Sequence, residues 1–379
     1  MTASPVDNTL LLRDLQRDGH IRTPWVDLLD MPAPFAPGSV AFGRIRGMLL
    51  GLAIGDALGN TSESQNPGDR LARYGEIRDY LRNPYAEYRK VGAPSDDTQL
   101  AFWTLEHLIE EGGLYPAKLA ALFAERRIFG IGGTVASFVS QHQAGVPWYE
   151  AGPNSAGNGA LMRIAPILLP HLRTGDRRLW SDATLCAAIT HNSATSISAC
   201  IAFVGLLGEL LVAERPPSPD WWVNRYVELA RVLEGEEPLQ PRGGHYLGWK
   251  GPLWGFVAEH LPEAARRGID TRSACDAWYS GAYLLETVPS ALYILMRHAG
   301  DPEIAIVRAV NDTRDNDTVA AIVGAAVGAL HGEEALPQRW RTGLLGRTAA
   351  NDDGAVMNLL TRAEESFSAD SLRIGKADA

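Results

Sequence analysis

Glycine recurs every four residues in two apolar segments, and this spacing constrains the fold more than any other feature of the chain. The first segment, RGMLLGLAIGDALG over 46–59, carries Gly47, Gly51 and Gly55. The second, over 318–331, carries Gly324 and Gly328. Residues four apart share one face of an α-helix, and a glycine inside a helix costs about 1 kcal/mol relative to alanine. The pattern therefore predicts helices that pack at close range, because close packing must offset that loss.

Helical periodicity continues through most of the chain. Apolar residues at helical spacing predict further helices over roughly 97–111, 116–129, 132–144, 181–192, 195–214, 273–298 and 318–331. Alternating strand patterns are scarce. We therefore predict a mainly α-helical body, with one compact domain over 41–365 and a polar tail over 366–379. The segment 215–257, rich in Pro, Gly and Trp, is predicted to be a long ordered excursion of functional importance.

The first forty residues differ in pattern from the rest of the chain. Residues 9–16 have the pattern of one short amphipathic helix, and 31–38 read MPAPFAPG. Repeated proline does not favour a helix. We predict that 1–40 form an appended N-terminal arm and a proline-rich tether.

Composition and charge exclude several classes of protein. The formal net charge is −10 and no dense Lys/Arg stripe occurs, which argues against nucleic-acid binding. The three cysteines have neither metal nor disulfide spacing and are predicted to be buried free thiols. The most apolar segment, 197–213, contains a glutamate and is shorter than the ~20 residues of a membrane span. Without a signal-peptide pattern, the expected localisation is cytoplasmic.

Two acidic clusters each open a predicted helix. Residues 95–98 read SDDT, and residues 315–318 read DNDT. One interpretation is helix capping, which Asp and Ser favour. Capping needs one such residue per helix, however, and each cluster supplies more. Crowded carboxylates repel one another, and Mg²⁺ prefers carboxylate and hydroxyl oxygens. The clusters together predict a binuclear site at helix N-termini, with two Mg²⁺ ions roughly 3.5–4 Å apart.

Four further positions carry possible chemistry, each with a plainer interpretation. Asp56 interrupts an apolar helix, where a buried, hydrogen-bonded carboxylate is the plainer reading. Glu63 falls in a polar loop, where an exposed side chain is ordinary. The turn at 157–159, GNG, offers main-chain N–H groups to a phosphate, yet Asn-Gly turns are common. His191 ends a predicted helix and by itself indicates a structural histidine.

In order along the chain, these segments resemble the ADP-ribosylglycohydrolase family, which includes the dinitrogenase reductase-activating glycohydrolases and ADP-ribosylarginine hydrolases. The resemblance runs over 47–332 and rests on GMLLGLAIGDALG (47–59), Glu63, SDDTQ (95–99), GNGALMRIAPI (157–167), TH (190–191), YSGAYLLETVPSAL (279–292) and DNDTVAAIVGAAVGALHG (315–332). It implies an all-α fold, a compact orthogonal multi-helix domain with two Mg²⁺ ions, Mn²⁺ being the alternative. The metal ligands that it implies are Ser95, Asp96, Asp97, Asp315, Asp317 and Thr318.

The resemblance also implies a hydrolase that removes ADP-ribose from modified protein side chains, with arginine the first expectation. Its substrate would be an ADP-ribosylated protein, and its action would reverse that of an ADP-ribosyltransferase. The implied catalytic residues are Asp97 and Asp315, as candidate general bases, and Glu63, which would either act near the leaving side chain or position a water molecule. The implied substrate-binding residues are Asn158, Gly159, Met162, His191 and Arg314.

Two positions depart from the family pattern. Thr313-Arg314 stands where the family commonly has two glycines, so Arg314 either reaches the substrate diphosphate or narrows the cleft. Ser95 replaces the commoner threonine and keeps the hydroxyl oxygen.

Two other functions remain open from the sequence. A metal-dependent phosphohydrolase also uses paired aspartates, but these usually follow strands. A binding or immunity protein would use the 1–40 arm to block an ADP-ribosyltransferase toxin, with turnover secondary.

Overall fold

A computed structural model describes residues 6–83, 91–346 and 354–368. These residues form α-helices joined by loops and short 3-10 turns, with three isolated β-bridges among them. The all-α prediction is confirmed. Of the polar tail predicted over 366–379, residues 369–379 lie outside the described ranges. The helices are α1 (Thr9–Arg17), α2 (Phe42–Gly59), α3 (Pro67–Tyr74), α4 (Asp96–Glu111), α5 (Pro116–Glu125), α6 (Gly133–Gln143), α7 (Trp148–Ala151), α8 (Arg178–Ala188), α9 (Ala194–Leu210), α10 (Pro219–Glu234), α11 (Leu253–Arg266), α12 (Thr271–Ala277), α13 (Leu284–His298), α14 (Pro302–Asp312), α15 (Asn316–His331), α16 (Gln338–Gly343) and α17 (Ala355–Phe367).

Helices α2 and α15 form the centre of the fold and touch backbone to backbone. A Cβ atom at Gly51 would overlap the carbonyl oxygen of Gly324, and one at Gly59 would overlap the backbone of Asp317. These pairs run in opposite directions along the chain, so the two helices are antiparallel. The predicted close packing is confirmed, and each glycine stripe has the other as its partner. The N-terminus of α15 therefore lies beside the C-terminus of α2.

The single helix predicted over 273–298 is wrong, because the chain breaks between α12 and α13. Tyr279 and Ser280 have positive φ angles of 77° and 46°. The carbonyl oxygen of Ser280 accepts hydrogen bonds from the main-chain N–H groups of Arg314 (3.2 Å) and Asp315 (3.0 Å). These long-range bonds stabilise a backbone conformation that helical periodicity on both sides does not predict.

The excursion predicted over 215–257 is about half helical. Pro219 occupies the first turn of α10 and Pro252 precedes α11, and proline is well tolerated at such positions. Only residues 235–252 form a loop between the two helices. Leu239 and Gly251 close this loop through two main-chain hydrogen bonds of 2.7 and 3.3 Å. We call this segment the 235–252 loop.

The N-terminal segment packs on the rest of the domain. Helix α1 is confirmed, and Leu12 and Leu29 are fully buried. The Nδ2 atom of Asn8 donates to Asp182 Oδ1 on α8 at 2.7 Å. Residues 6–40, which the sequence indicated to be a separate arm, thus lie against the body, because their apolar side chains find a matching surface there.

None of the helices in the described part of the chain has the length and apolar content needed to cross a membrane.

Replacing Gly51 with alanine should destabilise the domain. The added methyl group has no space against the backbone of α15, so we expect the free energy of unfolding to fall by about 1–3 kcal/mol. Gly43 lies in the same helix, but no atom is within 4 Å of its Cβ position. Gly43→Ala should therefore raise the free energy of unfolding by up to about 1 kcal/mol. Urea denaturation measures both, and equal effects would contradict the central backbone contact.

Leu12→Ala should reveal whether the N-terminal segment contributes to stability. Leu12 is fully buried, and truncating such a leucine typically costs about 2–5 kcal/mol. Leu10→Ala, whose side chain is 73% exposed on the same helix, should change stability by less than about 0.5 kcal/mol. If both variants unfold at the wild-type urea concentration, the segment is not part of the cooperative unit.

Candidate active site

Asp56, on α2, organises the N-terminus of α4. Its carboxylate accepts hydrogen bonds from the main-chain N–H groups of Ser95 (2.8 Å) and Thr98 (3.0 Å). It also accepts from the hydroxyls of the same two residues, at 2.7 and 2.6 Å. The plain interpretation of Asp56 as a buried, hydrogen-bonded carboxylate is confirmed. Because Asp56 satisfies these donors from a neighbouring helix, Asp96 and Asp97 are free for another role.

Helix capping does not explain the acidic clusters. Among the described residues, neither N-cap residue, Ser95 of α4 or Asp315 of α15, has a side-chain capping hydrogen bond. Asp315 Oδ2 instead accepts from Asn158 Nδ2 at 2.5 Å. The capping interpretation is therefore wrong for both N-cap positions.

The two clusters meet in space. Thr318 Oγ1, on α15, lies 3.4 Å from Asp97 Oδ2, on α4, although 221 residues separate them. The antiparallel pairing of α2 and α15 produces this meeting, because it brings the N-terminus of α15 to the end of α2 that holds Asp56.

The donor atoms suit a hard divalent cation. Carboxylate oxygens of Asp56, Asp97 and Asp317 lie within 4.8 Å of one another, and so do those of Glu63, Asp315 and Asp317. Asp97 Oδ1 is buried and lacks a hydrogen-bond partner in the described part of the chain. A buried unpaired carboxylate oxygen is costly unless it meets a donor or a cation. The geometry therefore fits one or more divalent metal ions, with Asp317 common to both groups.

The two hydroxyl residues of the clusters are compatible with this role. Ser95 Oγ donates to Asp56, and Thr318 Oγ1 is within reach of Asp97. A hydroxyl that donates its proton keeps its oxygen lone pairs free. Both oxygens can therefore coordinate a cation without breaking these contacts.

Burial makes the cluster electrostatically unfavourable without a cation. It raises the pKa values of Asp96, Asp97 and Asp317 well above their usual range, and neighbouring carboxylates raise them further. Burial raises the pKa of Asp315 to about 6. The pKa values of these carboxyl groups are higher in the folded protein than in the unfolded chain. The free energy of unfolding therefore falls as the pH rises above about 4 and the groups ionise. A bound cation removes that penalty.

Glu63 stands at the edge of the cluster. The residue as a whole is exposed, but its carboxyl group faces the buried acids. Loss of solvation, together with the charges of Asp315 and Asp56, raises the pKa of Glu63 to about 7. Exposure agrees with the plain interpretation of this residue, and its proximity to Asp315 brings together two residues that the resemblance implies for one site.

A cleft of about 130 Å³ opens over the acidic cluster. Most of the side chains predicted for the site line it. Ser95 lies behind the cleft against Asp56, and Arg314 lines a neighbouring cavity. The predicted residues in the cleft wall are Glu63, Asp96, Asp97, Asn158, Gly159, Met162, His191, Asp315, Asp317 and Thr318.

His191 packs beneath the glycine turn. It is 1% exposed, and a Cβ atom at Gly159 would lie 2.8 Å from its ring. Burial, and secondarily the charge of Arg163, lower the pKa of His191 to about 3. The imidazole is therefore neutral at pH 7 and can offer one donor and one acceptor. Its Nδ1 atom lies 3.0 Å from Thr190 Oγ1.

Sequence reasoning missed a glycine-rich wall of the cleft. Gly130, Gly132 and Gly133 line it. Gly130 has a φ of +81° and lies beside the acidic cluster, since a Cβ atom there would be 3.3 Å from Asp96 Oδ1. The preceding N–H, of Phe129, donates to Gln99 Oε1 at 2.6 Å. The available signal was the run GIGG over 130–133, which begins after one predicted helix and overlaps the start of the next.

Arg70 was also missed. It is fully buried and donates to the carbonyl oxygens of Ser62 (3.1 Å), Gln65 (3.1 Å) and Thr313 (2.6 Å). These bonds tie the loop that carries Glu63 to the residues before Asp315. No sequence signal marks Arg70, since its partners are main-chain groups from distant segments.

Comparisons with known proteins agree on one family. The family model described as ADP-ribosylglycohydrolase matches residues 38–369. The ADP-ribosyl-[dinitrogen reductase] glycohydrolase of Rhodospirillum rubrum is 26% identical over 311 residues, covering 80% of this chain and 90% of its own. The ADP-ribosylarginine hydrolase Tri1 of Serratia proteamaculans is 25% identical over 340 residues, covering 86% and 82%. A solved structure described as an ADP-ribosylglycohydrolase-related protein complex matches with a TM-score of 0.62 and 26% identity, covering 86% of this chain and 97% of that chain.

Asp56→Asn should weaken metal binding although Asp56 is already saturated with hydrogen bonds. An amide cannot accept all the donors that the carboxylate serves, so the N-terminus of α4 should shift. Loss of such an orienting group typically lowers metal affinity about 10–100-fold. Calorimetric titration with Mg²⁺ and Mn²⁺ measures this change. Asp220→Asn, at an exposed first turn of α10, is the control, and unaltered affinity in Asp56→Asn would contradict the orienting role.

Proposed function

The chain belongs to the ADP-ribosylglycohydrolase family, and we propose that it hydrolyses the bond between ADP-ribose and arginine side chains of proteins. Family membership supports the coarser statement, an enzyme that removes ADP-ribosyl groups from modified residues. The name of the Serratia relative, an ADP-ribosylarginine hydrolase, supports arginine as the modified side chain. The observation that carries the proposal is the convergence of two acidic helix N-termini on one cleft, although neither N-cap side chain makes a capping hydrogen bond among the described residues.

The metal centre in this proposal comprises two Mg²⁺ ions, with Mn²⁺ as the alternative. A divalent cation, when bound, supplies charge neutralisation and Lewis acidity to the hydrolysis. The proposed ligands are the hydroxyl and carboxylate residues of the two clusters, namely Ser95, Asp96, Asp97, Asp315, Asp317 and Thr318.

Two carboxylates are suited to act as the general base. Asp97 has an oxygen without a hydrogen-bond partner among the described residues, and Asp315 is oriented by Asn158. Either would accept the proton of the attacking water as the water bonds to the ribose carbon. Their negative charge also favours the oxocarbenium character that develops as the bond to the side chain breaks.

Glu63 and the residues around the turn at 157–159 complete the proposed assignment. Glu63 lies at the exposed edge of the cluster, where it would donate a proton to the departing side-chain nitrogen as the bond to ribose breaks. The turn at 157–159 would hold a phosphate through the main-chain N–H groups of Asn158 and Gly159, beside the neutral ring of His191. The N–H of Gly157 instead donates to Ser155 Oγ at 3.2 Å. Met162 and Gly159 would line the surface that ADP-ribose covers.

Blocking of a transferase by a free N-terminal arm is the less favoured function. Residues 6–40 lie against the body, and detaching them would expose Leu12 and Leu29, both fully buried. Hydrolysis accounts for the cleft, and it does not require the two buried leucines to become exposed.

Asp97→Asn and Asp315→Asn should each lower the release of ADP-ribose at least about 100-fold, because each removes a candidate base and a cluster charge. The substrate is an arginine-ADP-ribosylated protein, and free ADP-ribose is measured by chromatography. Excess chelator should have the same effect on the wild-type enzyme. Circular dichroism checks the fold, and Asp14→Asn, on exposed α1 surface, serves as the control.

Two outcomes separate the parts of the proposal. Full turnover by either variant, or in chelator, would refute the acidic cleft as the active site. Release from a serine-ADP-ribosylated protein, with none from the arginine-linked one, would refute the arginine assignment alone.

A further inference from the structure

A second cavity, of about 330 Å³, adjoins the cleft and has no role in the proposed hydrolysis. It shares Asp315 and Ala282 with the cleft wall. Two arginines line it: Arg314, which precedes Asp315, and Arg242, from the 235–252 loop. We call this cavity the vestibule.

Arg242 is held in place by a buried partner. Its Nε and Nη2 atoms donate to the two carboxylate oxygens of Glu286, on α13, at 3.0 and 2.8 Å. The Glu286 side chain is 0% exposed, whereas that of Arg242 is 53% exposed. Such a two-bond pair fixes orientation as well as position. The guanidinium therefore presents its remaining N–H groups in a constant position.

The loop around Arg242 is fastened to the same wall. A Cβ atom at Gly243 would overlap the ring of Tyr279, so glycine allows direct contact there. Gly244 has a φ of +76°, and the next N–H, of His245, donates to the carbonyl oxygen of Ala277 at 2.6 Å. The 235–252 loop thus forms an ordered wall of the vestibule.

Arg314 is a cation with unused donors. Its guanidinium carbon lies 4.7 Å from the centre of the Tyr279 ring, a cation–π arrangement. Its Nε atom is buried and has no hydrogen-bond partner in the described ranges. The carboxylate of Asp276 is 3.9 Å from Nη2, beyond hydrogen-bond distance. The positive charge of Arg314 is thus poorly compensated within the described part of the protein, and the accessible part of its side chain, which is 23% exposed, favours an anionic ligand.

We propose that the vestibule binds an acidic side chain of the protein substrate, close to the modified residue. This inference rests on the proposed function and adds a preference for the surrounding sequence. Ser64, which follows Glu63, lines the vestibule, so the cavity lies on the side where the modified side chain would leave. The phosphate-binding turn and His191 line the cleft and not the vestibule, so the anion belongs to the protein rather than to ADP-ribose.

The charges around the vestibule support this assignment. Glu286 is neutralised by Arg242, and Asp315 is engaged by Asn158 and belongs to the cation-binding set. An incoming carboxylate would meet the free donors of the two arginines. It would also reduce their repulsion of a cationic modified arginine.

The test uses two arginine-ADP-ribosylated peptides that differ only by Asp or Asn two residues from the modified arginine. We expect kcat/KM of the wild-type enzyme to be about tenfold higher for the Asp peptide at low salt, as charged hydrogen bonds allow. This ratio should fall as NaCl is raised, because salt screens exposed charges.

Two variants remove the cations separately. Arg314→Gln removes the stacked charge. The double variant Arg242→Gln/Glu286→Gln removes the loop charge without leaving a buried, unpaired carboxylate. Each should reduce the Asp/Asn ratio to about 1–3, whatever its absolute rate, as expected when a charged partner is lost. Arg266→Gln, on the exposed surface of α11, should retain the wild-type ratio.

The outcomes are distinct. A wild-type ratio near one, or an unaltered ratio in both variants, would overturn the role of the vestibule. Equal losses on both peptides in Arg314→Gln would assign Arg314 to ADP-ribose itself and would also overturn it. No release from either peptide by the wild-type enzyme would refute the proposed function on which the inference rests.

Discussion

Direct backbone contact between α2 and α15 is the constraint on which the candidate active site depends. Gly51 and Gly324 allow the two helices to touch without intervening side chains. The antiparallel arrangement then brings Asp317, at the start of α15, beside Gly59, at the end of α2. Asp56 lies one turn back from that end and receives the N-terminus of α4. Acidic groups from three distant segments thus share one end of a single helix pair.

This arrangement is unfavourable for the acids themselves. Burial raises the pKa values of Asp97 and Asp317 well above their usual range, and no side-chain capping bond at Ser95 or Asp315 among the described residues accounts for the clusters. The hydrogen bonds that α4 needs come from Asp56 instead. A divalent cation would offset the repulsion between carboxylates that the fold places so close together in their ionised form.

The outer wall of the site depends on the break between α12 and α13. Ser280 holds the main chain of Arg314 and Asp315 through its carbonyl oxygen, while Tyr279 stacks on the Arg314 guanidinium. The 235–252 loop packs on the same Tyr279 ring through Gly243. One short segment therefore orients a proposed metal ligand and joins the two arginines of the vestibule.

The sequence by itself determined the helical class, the close packing of glycine-bearing helices and the acidic character of two helix starts, because these depend on neighbours within a few residues. Only the tertiary structure decided which partners meet. The break at Ser280 depends on hydrogen bonds from the residues that lead into α15, and the burial of Leu12 depends on the surface that receives α1. Arg70 illustrates the limit: its partners are main-chain carbonyls, which no pattern of side chains reveals.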